Sequence, residues 1–155
     1  MTQTHERAAE VSVGEAVGTS DWVVIDQAMI DGFATHTLDP DPLHIDPEWA
    51  AQGPYGGTIA FGFLTLSLLT YMLHSATGRP AQKEVDGHYL NYGFDRVRLI
   101  SPVRVGSRVR GHFTKLSQTL DAKGRLLAKF EATIEIEGEE RPALVAEWLS
   151  IWVPV

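Results

Sequence analysis

The sequence contains no cysteine, and this absence excludes disulfide bridges and metal sites built from thiolates. A chain of this kind is typical of the cytoplasm, and we expect a cytoplasmic protein. The first ten residues are polar and lack an apolar core, so they predict no secretion signal and a loosely ordered start.

Long apolar runs are also missing. The longest apolar stretch, between residues 58 and 76, is interrupted by Thr, Ser and Gly. A membrane-spanning helix needs about 20 predominantly apolar residues. The sequence therefore predicts no membrane partner.

Positive charge is scarce, with 13 Lys and Arg against 20 Asp and Glu and a net charge of −7. Nucleic-acid binding requires neutralisation of phosphates by basic side chains, so this balance argues against a nucleic-acid partner. The length of 155 residues and a hydrophobic content of 44% suit one domain with a core of its own. We treat residues 1–155 as a single domain.

The first third of the chain predicts a short strand and a helix. Residues 21–25 form the strand candidate, and Asp26 is a suitable N-cap for a helix over 27–37 with apolar residues at helical spacing. Pro40 and Pro42 prevent this helix from continuing.

Two further helices are predicted before residue 80. Asp46 is expected to cap a short helical turn over 47–51, which begins with a proline. The longest helix is predicted over 58–76, where apolar side chains point in nearly every direction, as in a buried helix. Gly78 and Pro80 are expected to end it.

The second half of the chain changes to the alternating pattern of β-strands. Turns are predicted at 121–124 and 137–140, and residues 125–136 alternate clearly between apolar and polar. The four strand candidates are 88–100, 103–118, 124–137 and 142–153. A long buried helix followed by an antiparallel meander predicts an α+β fold, with the sheet wrapped around a central helix.

The loop after the first helix carries an acid and a base, Asp39 and His44, in the stretch D-P-D-P-L-H. Two such groups holding one water molecule are able to add that water to an activated double bond. The alternative is a capped loop in which both side chains bind backbone amides. The residues alone leave both interpretations open.

This stretch, followed by Phe61-Gly62, resembles the D-x-N-P-x-H and H-G signature of the MaoC-like, R-specific enoyl-CoA hydratases, which have the hot-dog fold. The likeness is strongest to the subgroup that includes nodulation protein N and covers about residues 18–110. The matching segments are residues 20–22, 30–34, 44–48, 53–68, 91–93, 96–98 and 102–110.

The resemblance implies a function. The enzyme would add water reversibly to a trans-2-enoyl-CoA to give the R-3-hydroxyacyl-CoA. Asp39 would act as the base and His44 as the proton donor, the backbone N–H of Gly62 would bind the thioester oxygen, and Thr70 matches a hydroxyl that supports the aspartate. The family also implies an acyl-CoA substrate, a homodimer and no cofactor beyond the CoA of that substrate.

The chain departs from the signature at two positions. Asp41 stands where the family has an amide, and it would place another carboxylate beside the pair. Phe61 replaces the usual histidine before the glycine. Both are interpreted as substrate-side residues, together with Asn91 and Tyr92, for which a strand bulge is an equal alternative.

Other interpretations remain. The hot-dog fold also hosts acyl-CoA thioesterases, and the two departures are compatible with a catalytically silent acyl-CoA-binding subunit. A metal site is not expected, because His36, Asp39 and His44 lack a recognisable ligand spacing. The arginine cluster would either neutralise CoA phosphates or form a solvated strand face. Its members are Arg96, Arg98, Arg104, Arg108 and Arg110.

Overall fold

One antiparallel sheet forms the frame of the molecule in a computed structural model, which describes residues 11–78 and 87–155. The strand order is β1-β4-β5-β6-β3, and β2 also pairs with β4. The strands are β1 Ala16–Thr19, β2 Val23–Val24, β3 Gly87–Leu99, β4 Arg108–Leu120, β5 Leu126–Ile136 and β6 Leu144–Pro154.

The helices all precede β3 in the described part of the chain. They are α1 Gln27–Thr37, α2 Pro42–Ile45, α3 Pro47–Ala51, α4 Gly62–Ser67 and α5 Leu69–Thr77. The predicted helix over 27–37 is confirmed, with the Asp26 carboxylate accepting from the Met29 N–H at 2.8 Å. The predicted turn over 47–51 is also confirmed, and Asp46 caps it through the Trp49 N–H at 3.0 Å.

The core lies between one face of the sheet and the helices. The alternation predicted for residues 125–136 is confirmed. Ala132 and Ile134 are fully buried, whereas Glu131, on the other face of β5, is exposed. Gly111 on β4 lets α5 approach, because a β-carbon there would lie 3.1 Å from the Met72 side chain and 2.8 Å from the Phe113 ring. The sheet and the helices thus form the predicted α+β arrangement.

The predicted long helix over 58–76 is wrong in its first turn and in its continuity. Residues 58–60 are extended and pair with 103–105, since the Ala60 N–H donates to the Val103 carbonyl at 2.7 Å. The helix starts at Gly62 and is interrupted at Leu68. The hydrogen-bond partners of residues 58–60 are residues 103–105, which are distant in the sequence. Helical spacing within residues 58–76 does not reveal such a partner.

The prediction that this helix is buried all round is also wrong. Phe63 is 71% exposed and Tyr71 is 55% exposed. Gly78 ends the helix in the left-handed conformation, as expected, with φ 67°. Pro80 and the loosely ordered start expected at 1–10 lie outside the described residues.

The four strand candidates are confirmed with shifted ends. The largest shift is in β4, which begins at Arg108 instead of residue 103, because 103–105 pairs with residues 58–60. Both predicted turns are found, with left-handed Gly124 and Gly138. The sequence analysis missed β1 and the one-turn helix α2, since both are too short to show a period.

The outer face of β4 and β5 carries an ion cluster. Glu135 accepts from Arg110 Nε at 2.7 Å and lies 2.6 Å from His112 Nε2. The Trp22 ring lies over the Arg110 guanidinium at 4.3 Å. Hydrogen bonds from Arg110, and then from His112, lower the pKa of Glu135.

This cluster predicts a pH-dependent contribution to stability. The folded pKa of Glu135 is below its ordinary value of 4.5, so the charged form stabilises the fold at pH 7 and the benefit is lost as the pH falls through the folded pKa. Glu135→Gln should therefore lower the free energy of unfolding at pH 7, and the deficit relative to wild type should shrink at acidic pH. Urea denaturation at stepped pH measures this.

The control is Glu131→Gln, which removes an exposed carboxylate on the same strand. It should change stability little at either pH. A Glu135→Gln deficit that is constant between pH 7 and pH 3 would contradict the assigned pKa direction.

Candidate active site

Asp39 directly follows a strained helix end. Leu38 caps α1 in the left-handed conformation at φ 61°, and it is 87% exposed. A non-glycine residue in this conformation costs about 1 kcal/mol. The turn is held because the Leu38 and Asp39 N–H groups both donate to the Ala34 carbonyl, at 3.1 Å for Asp39. Such strain is often kept where a loop must present a particular side chain.

Asp41 has a structural task that the sequence analysis did not foresee. Its carboxylate accepts from the Leu43 N–H at 2.9 Å and so caps α2. Pro42 occupies the first helical position, where its missing N–H costs nothing. This short helix carries His44 in its last turn. The aspartate in place of the family amide is thus an N-cap, a role that Asn fills equally well.

His44 is held by contacts to both its ring and its backbone. Its Nδ1 lies 2.7 Å from the Ile59 carbonyl oxygen. Because a carbonyl only accepts, Nδ1 carries the proton, and Nε2 of the neutral ring is an acceptor. The Phe61 ring packs on the imidazole with centroids 3.8 Å apart. The imidazole therefore has a defined tautomer and a defined plane.

Asp39 and His44 are brought to one short loop without touching. No hydrogen bond or ion pair within 4.0 Å joins their side chains, and the Asp39 carboxylate is exposed. A shallow, open cleft of about 660 Å³ borders this loop. It is lined by Pro40, Pro42, Ile45, Asp46, Pro47 and Glu48. Neither Asp39 nor His44 lines this cleft, but Asp39 is exposed and His44 is half-buried beside it.

Gly62 is the first residue of α4, where an N–H has no helical acceptor. A β-carbon at this position would lie 2.3 Å from Leu99 Cδ1, the tip of an exposed side chain that is able to move aside, so packing alone does not require a glycine. Thr70 on α5 accepts a long hydrogen bond of 3.4 Å from the Asn91 amide. Among the described residues no hydrogen bond links Thr70 to Asp39.

The remaining substrate-side candidates separate into two groups. Phe61 is only 4% exposed and packs between His44 and Phe33, whose ring centroid is 5.1 Å away. Asn91 and Tyr92 are exposed on β3. The register of β3 with β6 shifts between Asn91 and Gly93, so the strand-bulge alternative is present.

Sequence reasoning missed Gln27 and Thr58, which lie against the His44 loop. The Gln27 amide donates to the His44 carbonyl at 2.8 Å, and its oxygen accepts from the Thr58 hydroxyl at 2.5 Å. Gln27 stands at the start of α1, 17 positions before His44. No motif spacing relates these positions, so only the packing of α1 against the loop identifies them.

Most of the arginine cluster is engaged elsewhere. Arg108 pairs with Glu137 at 2.7 Å, and Arg110 pairs with Glu135. Arg98 donates to its neighbouring Val97 carbonyl. Across residues 11–78 and 87–155 no group of three metal-ligating side chains lies together, and no described helix is long and apolar enough to cross a bilayer.

The chain is similar to known proteins of one family. The MaoC-like domain family model matches residues 8–136. The chain is 50% identical over 140 residues to nodulation protein N of Rhizobium meliloti, covering 90% of this chain and 85% of that protein. It is 42% identical over 147 residues to 3-hydroxyacyl-thioester dehydratase Z of Mycobacterium tuberculosis, covering 94% and 95%.

The fold agrees with solved structures. The (R)-hydratase from A. caviae involved in PHA biosynthesis superposes with a TM-score of 0.71 at 21% identity, covering 96% of this chain and 98% of that chain. The predicted hot-dog fold is confirmed. The chain belongs to the MaoC-like dehydratase family, as the signature around Asp39 and His44 predicted.

The capping contact of Asp41 generates a stability prediction. Asp41→Ala removes the acceptor for the Leu43 N–H and should lower the free energy of unfolding by about 1 kcal/mol, whereas Asp41→Asn should leave it within about 0.5 kcal/mol. Chemical denaturation at pH 7 measures both. Equal losses for the two variants would show that the charge of Asp41, and not its capping oxygen, supports the loop.

Proposed function

We propose that the protein catalyses the reversible, R-specific hydration of trans-2-enoyl thioesters through Asp39 and His44. The observation that carries the proposal is the fixed imidazole of His44. Its Nδ1 is bound to Ile59 and its ring packs on Phe61, so Nε2 is the nitrogen left for chemistry. A capping histidine would instead use its ring on the amides of its own loop.

The two side chains have complementary proton-transfer roles in this reaction. The Asp39 carboxylate accepts a proton from water as the water oxygen bonds to C3 of the enoyl group. His44 donates the Nε2 proton of its imidazolium to C2, and the net change is the addition of one water. Because Nδ1 is already occupied by a carbonyl, donation from Nε2 requires the doubly protonated ring. Dehydration starts from the opposite protonation states.

The proposal places one water molecule between Asp39 and His44, whose side chains form no direct contact. Direct contact would have satisfied both groups and excluded a third molecule. Positioning a nucleophile between two groups is worth several powers of ten in rate when the geometry is correct. The Gly62 N–H is proposed to bind the thioester oxygen, where negative charge develops during addition. Its place at the helix start supports this assignment.

The names of relatives support the substrate class. One is a 3-hydroxyacyl-thioester dehydratase and another an (R)-hydratase. The proposed substrate is accordingly an enoyl or 3-hydroxyacyl thioester of CoA or of an acyl carrier protein. Arg96 and Arg104 form neither a salt bridge nor a side-chain hydrogen bond among the described residues, so they are the members of the arginine cluster available to a phosphate. No cofactor beyond the thioester carrier is proposed.

A homodimer is proposed as the assembly. β3 is an edge strand of 13 residues whose burial pattern is largely exposed. It carries the apolar side chains Leu90, Tyr92 and Phe94, which are 48%, 61% and 37% exposed. Long, apolar edge strands are prone to pair with another chain, and pairing with a second copy would cover this one.

The first experiment is incubation of the purified protein with crotonyl-CoA and longer enoyl-CoAs, with product chirality and free thiol analysed. Loss of the enoyl absorbance with formation of the R-3-hydroxyacyl-CoA is expected. Release of free CoA would instead identify a thioesterase. Tight binding without turnover across the substrate panel and the pH range would identify an acyl-binding subunit.

Asp39→Asn should lower kcat for hydration by at least about a hundredfold, the low end for a general acid–base group, while the melting temperature stays close to wild type. Asn keeps the shape of the side chain and loses the basic oxygen. Glu131→Gln is the matched control and should retain wild-type kcat. A folded Asp39→Asn protein with near-normal kcat would remove Asp39 from the mechanism.

The proposed dimer predicts an effect of charge on the β3 edge. Tyr92→Lys should shift the protein towards the monomer, because a lysine on an edge strand opposes pairing. Sedimentation velocity over a concentration series measures the change. Leu120→Lys is the control, since Leu120 is 70% exposed at the far end of β4. A monomeric wild type, or equal effects of both variants, would contradict the assignment of β3.

A further inference from the structure

The side chain of Gln27 has three hydrogen-bond partners. Its Nε2 lies 2.8 Å from the His44 carbonyl oxygen and 2.8 Å from Asp31 Oδ1, and its Oε1 lies 2.5 Å from the Thr58 hydroxyl. A carbonyl and a carboxylate only accept, so the amide has a single orientation in which every contact is satisfied. Both N–H groups donate, and the oxygen accepts.

Asp31 lies on α1 with Gln27 itself, and the other two partners belong to the two segments that hold His44. One is the backbone of His44 itself. The other is Thr58, which is 1% exposed and directly precedes Ile59, the residue whose carbonyl binds His44 Nδ1. A single side chain on α1 therefore connects the loop that carries the imidazole to the segment that binds it.

The second of these segments is rigidly placed. The Val105 N–H donates to the Thr58 carbonyl at 3.0 Å, and the Ala60 N–H donates to the Val103 carbonyl at 2.7 Å. The His44 loop has no such pairing to the sheet among the described residues. Its hydrogen bonds to the surrounding structure at Leu43 and His44 are the Nδ1 contact, the Gln27 amide and the weaker Ile59 N–H to Leu43 carbonyl contact at 3.4 Å. Packing of Phe61 on the imidazole and of Ile45 against the core adds to them.

We infer that Gln27 is a positioning residue for His44, which sets the distance between the His44 backbone and the Ile59 carbonyl and so keeps the Nδ1 proton in place. The inference rests on the proposed function for its effect on rate. Phe61 limits rotation of the ring, and Gln27 limits movement of the backbone that carries it. A catalytic group displaced by about 1 Å loses roughly a hundredfold in rate.

The test compares Gln27→Met with Gln52→Met. Methionine keeps the length of the glutamine side chain and removes its hydrogen bonds. Gln52 is an exposed glutamine on the neighbouring helix end, and its amide donates only to the Glu48 carbonyl at 3.2 Å. Gln27→Met should lower kcat at least about tenfold with KM within about twofold, a loss below that of a full 1 Å displacement. Gln52→Met should leave both unchanged.

Imidazole ¹⁵N NMR provides a readout that does not depend on activity. In the wild type, the neutral His44 ring should show a protonated Nδ1 and an unprotonated Nε2, with the signal assigned by its loss in His44→Gln. Gln27→Met should produce averaging between the two tautomers. Gln52→Met should not.

Thr58→Val and Thr58→Ser cover the case in which Gln27→Met fails to fold. Valine leaves the Gln27 oxygen without its hydroxyl, and serine restores it. The inference predicts impaired kcat and tautomer averaging for Thr58→Val and recovery of both for Thr58→Ser.

The outcomes separate this inference from the proposed function. If the wild type hydrates no enoyl thioester but Gln27→Met still averages the His44 tautomers, the positioning role stands and the proposed reaction fails. If a folded Gln27→Met protein keeps wild-type kcat and a single tautomer, the positioning role is overturned while the hydratase assignment stands.

Discussion

The short antiparallel pairing of residues 58–60 with 103–105 is the contact on which the candidate site depends. It holds Ile59 in an extended conformation, so the Ile59 carbonyl is free of helical partners and binds His44 Nδ1. It also delays the start of α4 to Gly62, which leaves the Gly62 N–H at a helix terminus. Had the helix begun at Thr58, its first turns would have used these groups internally.

The sheet and the loop that carries Asp39 and His44 are held in place in different ways. The sheet supplies a rigid frame, because its inner side chains are buried in a continuous apolar core. The loop from Leu38 to Ile45 is built from local caps: a left-handed helix end, an Asp41 cap and a proline at the first helical position. Local caps define the shape of this loop, and its attachment to the frame comes from side chains such as Gln27 and His44.

The arginines on the outer face of the sheet have partners on neighbouring elements. On the outer face of the sheet, Arg108 and Arg110 are paired with glutamates and covered by Trp22. Two members of the cluster that looked like an anion site in the sequence are therefore neutralised by cross-strand partners. The partners are 25 and 29 positions away along the chain, so they are invisible to a local reading of the sequence.

The sequence by itself determined the fold class, α1, the strands β3 to β6 and the family, because amphipathic period, helix caps and the loop signature around Asp39 and His44 are local properties. Only the tertiary structure decided that Thr58 to Ala60 are extended, that Asp41 is a cap, that Phe61 packs on the imidazole and that Gln27 contacts the His44 backbone. Each of these depends on a partner distant in the chain or on a choice between two local conformations. Hydrogen bonds across the fold decide between these conformations, because a buried backbone N–H or C=O group needs a partner in place of water.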